Sequence, residues 1–131
     1  MNFVDKRIHP RFQLQVPIKY KFINRNISQS SPKIEQIYDG VTTNISEGGL
    51  LFVITLPELE WVTELLLQKM ILGVNLILEE GPIKALCRTC WIGNISVLSE
   101  TYRATIGLEF KEINYEDREK IKRNLNVNGF I

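Results

Sequence analysis

The sequence predicts a mostly β protein: six to seven antiparallel strands curled into a small barrel, with a helix inserted near 57–70 and a C-terminal α-helix. Three observations predict it. Short stretches of alternating apolar and polar residues recur along the chain, most cleanly at Tyr102–Lys111. Clusters of Gly, Pro, Asn and Ser separate them, as turns separate antiparallel strands. The C-terminal segment after Asn114 loses the period of two and gains helix-start chemistry.

Residues 1–14 are polar, contain Pro10 and read as a mobile N-terminal arm. Val16, Ile18, Tyr20 and Phe22 then alternate with Pro17, Lys19 and Lys21, the period of a half-buried strand. Pro17 donates no ladder hydrogen bond and suits an edge position or a strand start. Asn24 to Pro32 is a loop by composition, and a second strand follows near 35–43, ending at a turn. Leu50 to Thr55 is a continuous apolar run that reads as a buried third strand. Between Pro57 and Met70 the pattern changes: Leu59, Val62, Leu66 and Met70 fall on one helical stripe, with Pro57 in the first turn. The Leu65-Leu66-Leu67 run reads as core, with a partner-facing patch as the alternative. Gly73 ends the helix or opens the next strand. Asn75–Glu79 and Ile83–Ile92 flank Glu80-Gly81-Pro82 as a hairpin, and Tyr102–Lys111 is the last strand. Asn114 is placed to cap the terminal helix, with Glu116 and Asp117 in its positive first turn. Glu116–Lys120 and Glu119–Arg123 are helix-spaced ion pairs, and Ile121 and Leu125 supply the buried edge.

The chain has 131 residues, which fits a single domain over 1–131, and 44% of them are hydrophobic, enough to bury a core. Sixteen basic and fifteen acidic residues leave a net charge of +1. That argues against a nucleic-acid polymer as partner, which calls for a strongly basic face. It permits a small anionic ligand. No apolar run reaches the length of a membrane span, and Met1–Arg7 contains no apolar signal region, so the expected location is cytoplasmic.

Cys87 and Cys90 form a lone Cys-x-x-Cys. A redox pair prefers a loop opening a helix, but these cysteines lie in a strand pattern that sends their side chains to opposite faces. A zinc site needs further ligands, and His9 is the only histidine. No catalytic set and no metal site is expected, and the chain is not read as an enzyme. His9 has no nucleophile or acid beside it in sequence and reads as a spacer.

Two motifs remain. Arg7-Ile8-His9-Pro10-Arg11 places two arginines four apart in the arm, and Asn44-Ile45-Ser46-Glu47-Gly48-Gly49 is a polar turn of the pattern Asn-x-Ser-x-x-Gly. The arginines lie about 13 Å apart at most in an extended chain, so they can address different parts of one ligand. Each guanidinium offers a planar fork for phosphate or for the O6/N7 edge of guanine. Pro10 restricts the segment, which lowers the entropy lost on binding. In this order, each beside a candidate strand, the motifs resemble the nucleotide-binding signature of the PilZ domain family, over roughly residues 6–125 in element order as well.

The resemblance implies a six-stranded barrel with a C-terminal helix and a receptor for the bacterial second messenger cyclic di-GMP, with no further cofactor. It implies a ligand site formed by Arg7, Arg11, Asn44, Ser46 and Gly49, with Lys6 and Gly48 as additional contacts. Many members carry Asp where this chain has Asn44, which keeps an acceptor and loses a charge. Ser46 could contact ligand or lock the turn. Lys6, just before the first arginine, supplies charge without a stacking plane and favours a single bound ligand. The implied mechanism is a conformational switch read by an unidentified downstream protein, with motility, exopolysaccharide or virulence as output. The alternative is a PilZ-fold adaptor acting by protein–protein contact without nucleotide.

Overall fold

The structure is a computed structural model and describes residues 12–25, 34 and 36–127. Seven strands and two helices follow in the order β1 (Phe12–Gln13), β2 (Pro17–Asn24), β3 (Tyr38–Ile45), β4 (Gly49–Leu56), α1 (Trp61–Leu66), β5 (Met70–Leu78), β6 (Gly81–Val97), β7 (Tyr102–Ile113) and α2 (Tyr115–Val127). The strands are hydrogen-bonded in the order β1-β3-β2-β5-β6-β7-β4, and β4 pairs back onto β3. Six strands thereby close an antiparallel barrel, and β1 extends one wall. Among the described residues no helix is long and apolar enough to cross a membrane.

The alternation read in β2 is the alternation of the wall: Ile18, Tyr20 and Phe22 point inward and are buried, and Lys19 and Lys21 point outward. Pro17 is the first residue of the strand, where its missing N–H costs no ladder bond. The inner residues of β4, Leu50, Phe52, Ile54 and Leu56, are fully buried. Aromatic rings fill one end of the barrel edge to face, Tyr20 on Phe52 at 5.1 Å and Phe22 on Trp61 at 4.8 Å. The buried Tyr20 hydroxyl accepts a hydrogen bond from the Thr55 N–H at 2.9 Å, so no polar atom is stranded there.

Of the stretch 1–14 expected as an arm, residues 1–11 lie outside the described residues, and Phe12–Gln13 are strand. Gln13 and Phe12 pair with Asn44 and Ile45 of β3 on the side where β2 pairs with Tyr38–Val41. β1 and β2 are thus one interrupted edge, broken over residues 14–16. The buried Thr42 bridges the break: its hydroxyl accepts from the Val16 N–H at 2.9 Å and donates to the Leu14 carbonyl at 2.6 Å. Backbone bonds persist on either side, from the Thr42 N–H to the Val16 carbonyl at 2.9 Å and from the Leu14 N–H to the Thr43 carbonyl at 3.3 Å, and the Thr42 hydroxyl takes the two groups they leave over.

The helix expected near 57–70 is the six residues Trp61–Leu66, and of its predicted stripe Val62 and Met70 pack on the core while Leu59 and Leu66 do not. Trp61 and Leu65, spaced i and i+4, are the buried pair, whereas Leu59 and Leu66 are each 46% exposed and Leu67 is 58% exposed. The packing of Trp61 on Phe22 sets the helix rotation, and Met70 is buried as the first residue of β5. Only Leu65 of the leucine run is core. Gly73, read as a boundary, lies inside β5.

At α2 the cap is as expected: the Asn114 side-chain Oδ1 accepts from the Asp117 N–H at 2.7 Å. Asp117 in turn accepts from the Lys84 N–H at 3.1 Å, fixing the helix start to β6. The ion pairs differ from those read by spacing. Arg123 reaches Glu80 in the β5–β6 turn at 2.8 Å, and Lys120 and Lys122 face Asp117 and Glu119 one turn back. The helix is bonded to β6 through Asp117 and to the β5–β6 turn through Arg123, so tertiary partners compete with those at i+4.

Candidate functional site

The turn between β3 and β4 is locked by one side chain. Ser46 is buried, and its hydroxyl accepts from the N–H groups of Gly48 and Gly49, both at 3.2 Å, and lies 3.3 Å from the Gly49 carbonyl. The Ser46 N–H donates to the same carbonyl at 2.8 Å. Of the two roles open to Ser46, holding the turn is the one these bonds perform. The Gly48 carbonyl accepts from the Phe110 N–H at 2.8 Å, tying the turn to β7. Gly49 opens β4 at its closest approach to β7: a Cβ there would stand 1.9 Å from the Leu108 carbonyl oxygen. Only glycine fits.

Asn44 lies in β3 and not in the turn itself, next to a bulge that separates it from Thr42. Its Cα partners are Gln13 on one side and Leu51 on the other. Its side-chain oxygen is buried with no hydrogen-bond partner among the described residues. Leaving an acceptor so costs about 1–3 kcal/mol, which a ligand or a donor from the arm would recover.

Register carries the row onward. Leu51 pairs with Gly107 of β7, and Gly107 with Trp91 of β6. Asn44, Leu51, Gly107 and Trp91 therefore lie side by side across four strands, spanning about 14 Å at ordinary strand spacing. All face outward: Leu50 and Phe52 beside Leu51 are buried, and a Cβ on Gly107 would meet Leu51 at 3.7 Å and the Cβ of Trp91 at 3.8 Å. Trp91 is 48% exposed and its ring lies over Gly93. The result is a shallow shelf with a polar acceptor at one end and an aromatic plane at the other.

Trp91, Gly107 and Leu51 were not legible as site residues. Cys87 and Thr89 point inward, and a simple alternation would send Trp91 inward too. An extra residue in β6, Cys90, sits between the pairs Thr89–Leu108 and Trp91–Gly107 and reverses the phase. The signal that could have found it is an aromatic residue two positions before a glycine in a strand, a place for close backbone approach.

Arg7, Arg11 and Lys6 lie outside the described residues. The residue after Arg11, Phe12, is the Cα partner of Ile45. The chain therefore enters the structure beside the Asn44–Gly49 turn.

Neither Cys87 nor Cys90 is in a disulfide; Cys87 is buried and Cys90 exposed, and burial with the nearby Cys90 charge pushes the Cys87 thiol well above its ordinary pKa. Because the thiolate is the reactive form, iodoacetamide at neutral pH is expected to label one thiol per native chain and two after denaturation. Two labels on the native chain, read by intact mass, would show that Cys87 is accessible. Among the described residues no group of three or more His, Cys, Asp or Glu is placed to hold a metal ion.

A small closed barrel with a C-terminal helix, a serine-locked turn and a glycine where two strands nearly touch defines a barrel of the PilZ type. The sequence profile described as PilZ domain matches residues 5–126, and the chain belongs to that family. Solved structures agree on the fold. The chain is similar to the K. pneumonia MrkH–c-di-GMP complex, with a TM-score of 0.65 and 22% identity, over 95% of this chain and 52% of that one. It is similar to the PilZ domain with c-di-GMP of YcgR from Escherichia coli, with a TM-score of 0.61 and 9% identity, over 95% and 92%. For the Bacillus subtilis inhibitor of motility MotI/DgrA the TM-score is 0.57 and the identity 20%, over 94% and 53%. The chain thus spans about half the length of MotI and MrkH. No curated protein sequence matches it.

Proposed function

We propose that this chain is a cytoplasmic bacterial receptor for cyclic di-GMP that signals to a partner protein and does not catalyse a reaction. The observation that carries the reading is the register of β1 on β3, which brings the sequence neighbour of Arg11 opposite Ile45, beside the orphaned Asn44 oxygen. Cyclic di-GMP asks for charge on two phosphates and for acceptors and planes on two guanines. In this reading Arg7 and Arg11 take the phosphates and a guanine O6/N7 edge, with Lys6 as a further cation. Asn44 accepts from guanine N–H groups. Ser46, Gly48 and Gly49 hold the turn, and Trp91 offers a face on which a base can stack. The family and the nucleotide named in the MrkH and YcgR structures support the ligand. Motility, exopolysaccharide production or virulence are the outputs in keeping with it.

Titration calorimetry of the purified chain with cyclic di-GMP, and with GMP as control, tests the reading. Saturable heat with cyclic di-GMP alone is expected, and no heat at high protein concentration would sink it. Asn44→Asp sharpens the test. A carboxylate accepts guanine donors more strongly than an amide, by about 1 kcal/mol, so affinity should rise about fivefold. The same carboxylate would be partly buried without a partner before ligand arrives, so the ligand-free protein should lose stability. A weaker-binding Asn44→Asp variant would remove Asn44 from the guanine site.

A second reading, an adaptor that works by protein contact without nucleotide, is favoured by the exposed Leu59, Leu66 and Leu67 around α1. It predicts silent calorimetry together with partner capture that is lost in a Leu66→Ser, Leu67→Ser variant.

A further inference from the structure

The wall opposite the Asn44–Gly49 turn carries a cavity of about 810 Å³ on the outer faces of β2, β5 and β6, against the start of α2. Register builds it from two rows. Lys19, Asn75 and Lys84 lie side by side across the three strands, and so do Lys21, Gly73 and Leu86. Gly73 has no side chain, and the Ile23 Cδ1 stands 3.2 Å from where its Cβ would be, so Ile23 and Leu86 make an aliphatic floor there. Lys111 and Arg118 line the cavity from the end of β7 and the first turn of α2. Lys19 is held by Asp39 at 2.8 Å. Lys21, Lys84, Lys111 and Arg118 make no ion pair with another described residue, and among the described residues Glu112 is the single carboxylate in the lining.

Three features select the occupant. Four uncommitted cations call for an anion. The floor is aliphatic, and the one aromatic residue among the described lining residues, Tyr20, has its ring in the barrel core, so these residues offer no plane to a nucleobase. The Asn75 side-chain oxygen is buried with no hydrogen-bond partner among the described residues, and what it lacks is an N–H donor. Carboxylates, aliphatic side chains and backbone N–H groups occur together in a polypeptide. We infer that this groove docks an acidic, aliphatic segment of a partner protein. Such a segment would set its carboxylates on Lys21, Lys84, Lys111 and Arg118, an aliphatic side chain over Gly73, and a backbone N–H on Asn75. A membrane surface fits less well, because the floor is recessed between the lysine rows. The groove is built from β2, β5, β6 and α2, and nothing in the inference depends on nucleotide binding at the β3–β4 turn.

The test uses the full chain and a fluorescein-labelled ten-residue peptide of alternating glutamate and leucine, read by anisotropy without nucleotide. Saturable binding is expected, weakened about tenfold between about 50 and 300 mM salt, since exposed charges are screened over that range. Lys21→Glu with Lys84→Glu should weaken it by a further tenfold or more, and Gly73→Val should do so by filling the floor. The lysine variant changes only exposed charges and should keep the wild-type unfolding midpoint and its response to cyclic di-GMP. Four results would each overturn the proposal. They are no saturable binding, binding that the lysine variant leaves unchanged, equal binding of a peptide with serine in place of leucine, and binding to phosphatidylglycerol vesicles while the peptide stays silent.

Discussion

Gly49→Ala is expected to destabilise the protein by about 3 kcal/mol or more, at or above the upper end of what overpacking a well-packed site costs. The added methyl would stand 1.9 Å from the Leu108 carbonyl oxygen, 3.0 Å from the carbonyl carbon and 3.2 Å from the Glu109 Cα. All three are backbone atoms of β7, so no rotamer change relieves the clash. Relief requires β4 to part from β7 at Gly49–Glu109, the first pair of a register that runs to Leu56–Tyr102. The same shift would pull the turn off Phe110, whose N–H is bonded to the Gly48 carbonyl. The measurement is a urea titration, read as a lower midpoint at unchanged slope. Gly107→Ala is the control, because its added methyl meets neighbours only from 3.7 Å outward and should move the midpoint little. If Gly49→Ala unfolds at the wild-type midpoint, the close approach of β4 and β7 is not a feature of the protein in solution.

The second large effect concerns binding. Arg7→Ala and Arg11→Ala should each weaken cyclic di-GMP by about 1.5–3 kcal/mol, the usual loss for one charge-assisted hydrogen bond, or roughly tenfold to somewhat over a hundredfold. Neither should lower the urea midpoint of the ligand-free chain. Arg→Lys separates charge from shape. Lysine keeps the point charge but cannot donate two parallel bonds to guanine or phosphate, so it should restore only part of the affinity. Full restoration by lysine would mean that the arm acts through charge alone. Wild-type affinity in both alanine variants would show that the arm is not the site, whatever the turn does.

These two experiments probe the two halves of the proposed site, which differ in how far they could be read in advance. The turn was legible almost whole, because Ser46, Gly48 and Gly49 are turn chemistry and their hydrogen bonds are local. Asn44 was legible as a candidate but not as an orphaned acceptor, since that depends on what β1 and β4 place around it. The α1 region was misread because apolar residues at helical spacing do not reveal where so short a helix begins. Trp61 on Phe22 fixes its rotation, and those residues are 39 positions apart. The Arg123 ion pair was misassigned for the same reason: Glu80, which spacing within the helix could not propose, reaches it first.

The sequence by itself determined the barrel, the capped terminal helix and the order of the two motifs, and with them the family. Each rests on a local signal: a period of two, a cap three residues from its N–H, a proline or glycine at a turn. Only the tertiary structure decided which residues share a surface. One extra residue in β6 turns Trp91 outward, cross-strand register sets it in line with Gly107, Leu51 and Asn44, and the approach of β4 to β7 makes Gly49 irreplaceable. The physical reason is that alternation is a property of one strand, whereas bulges and close approaches are properties of pairs of strands far apart in the chain.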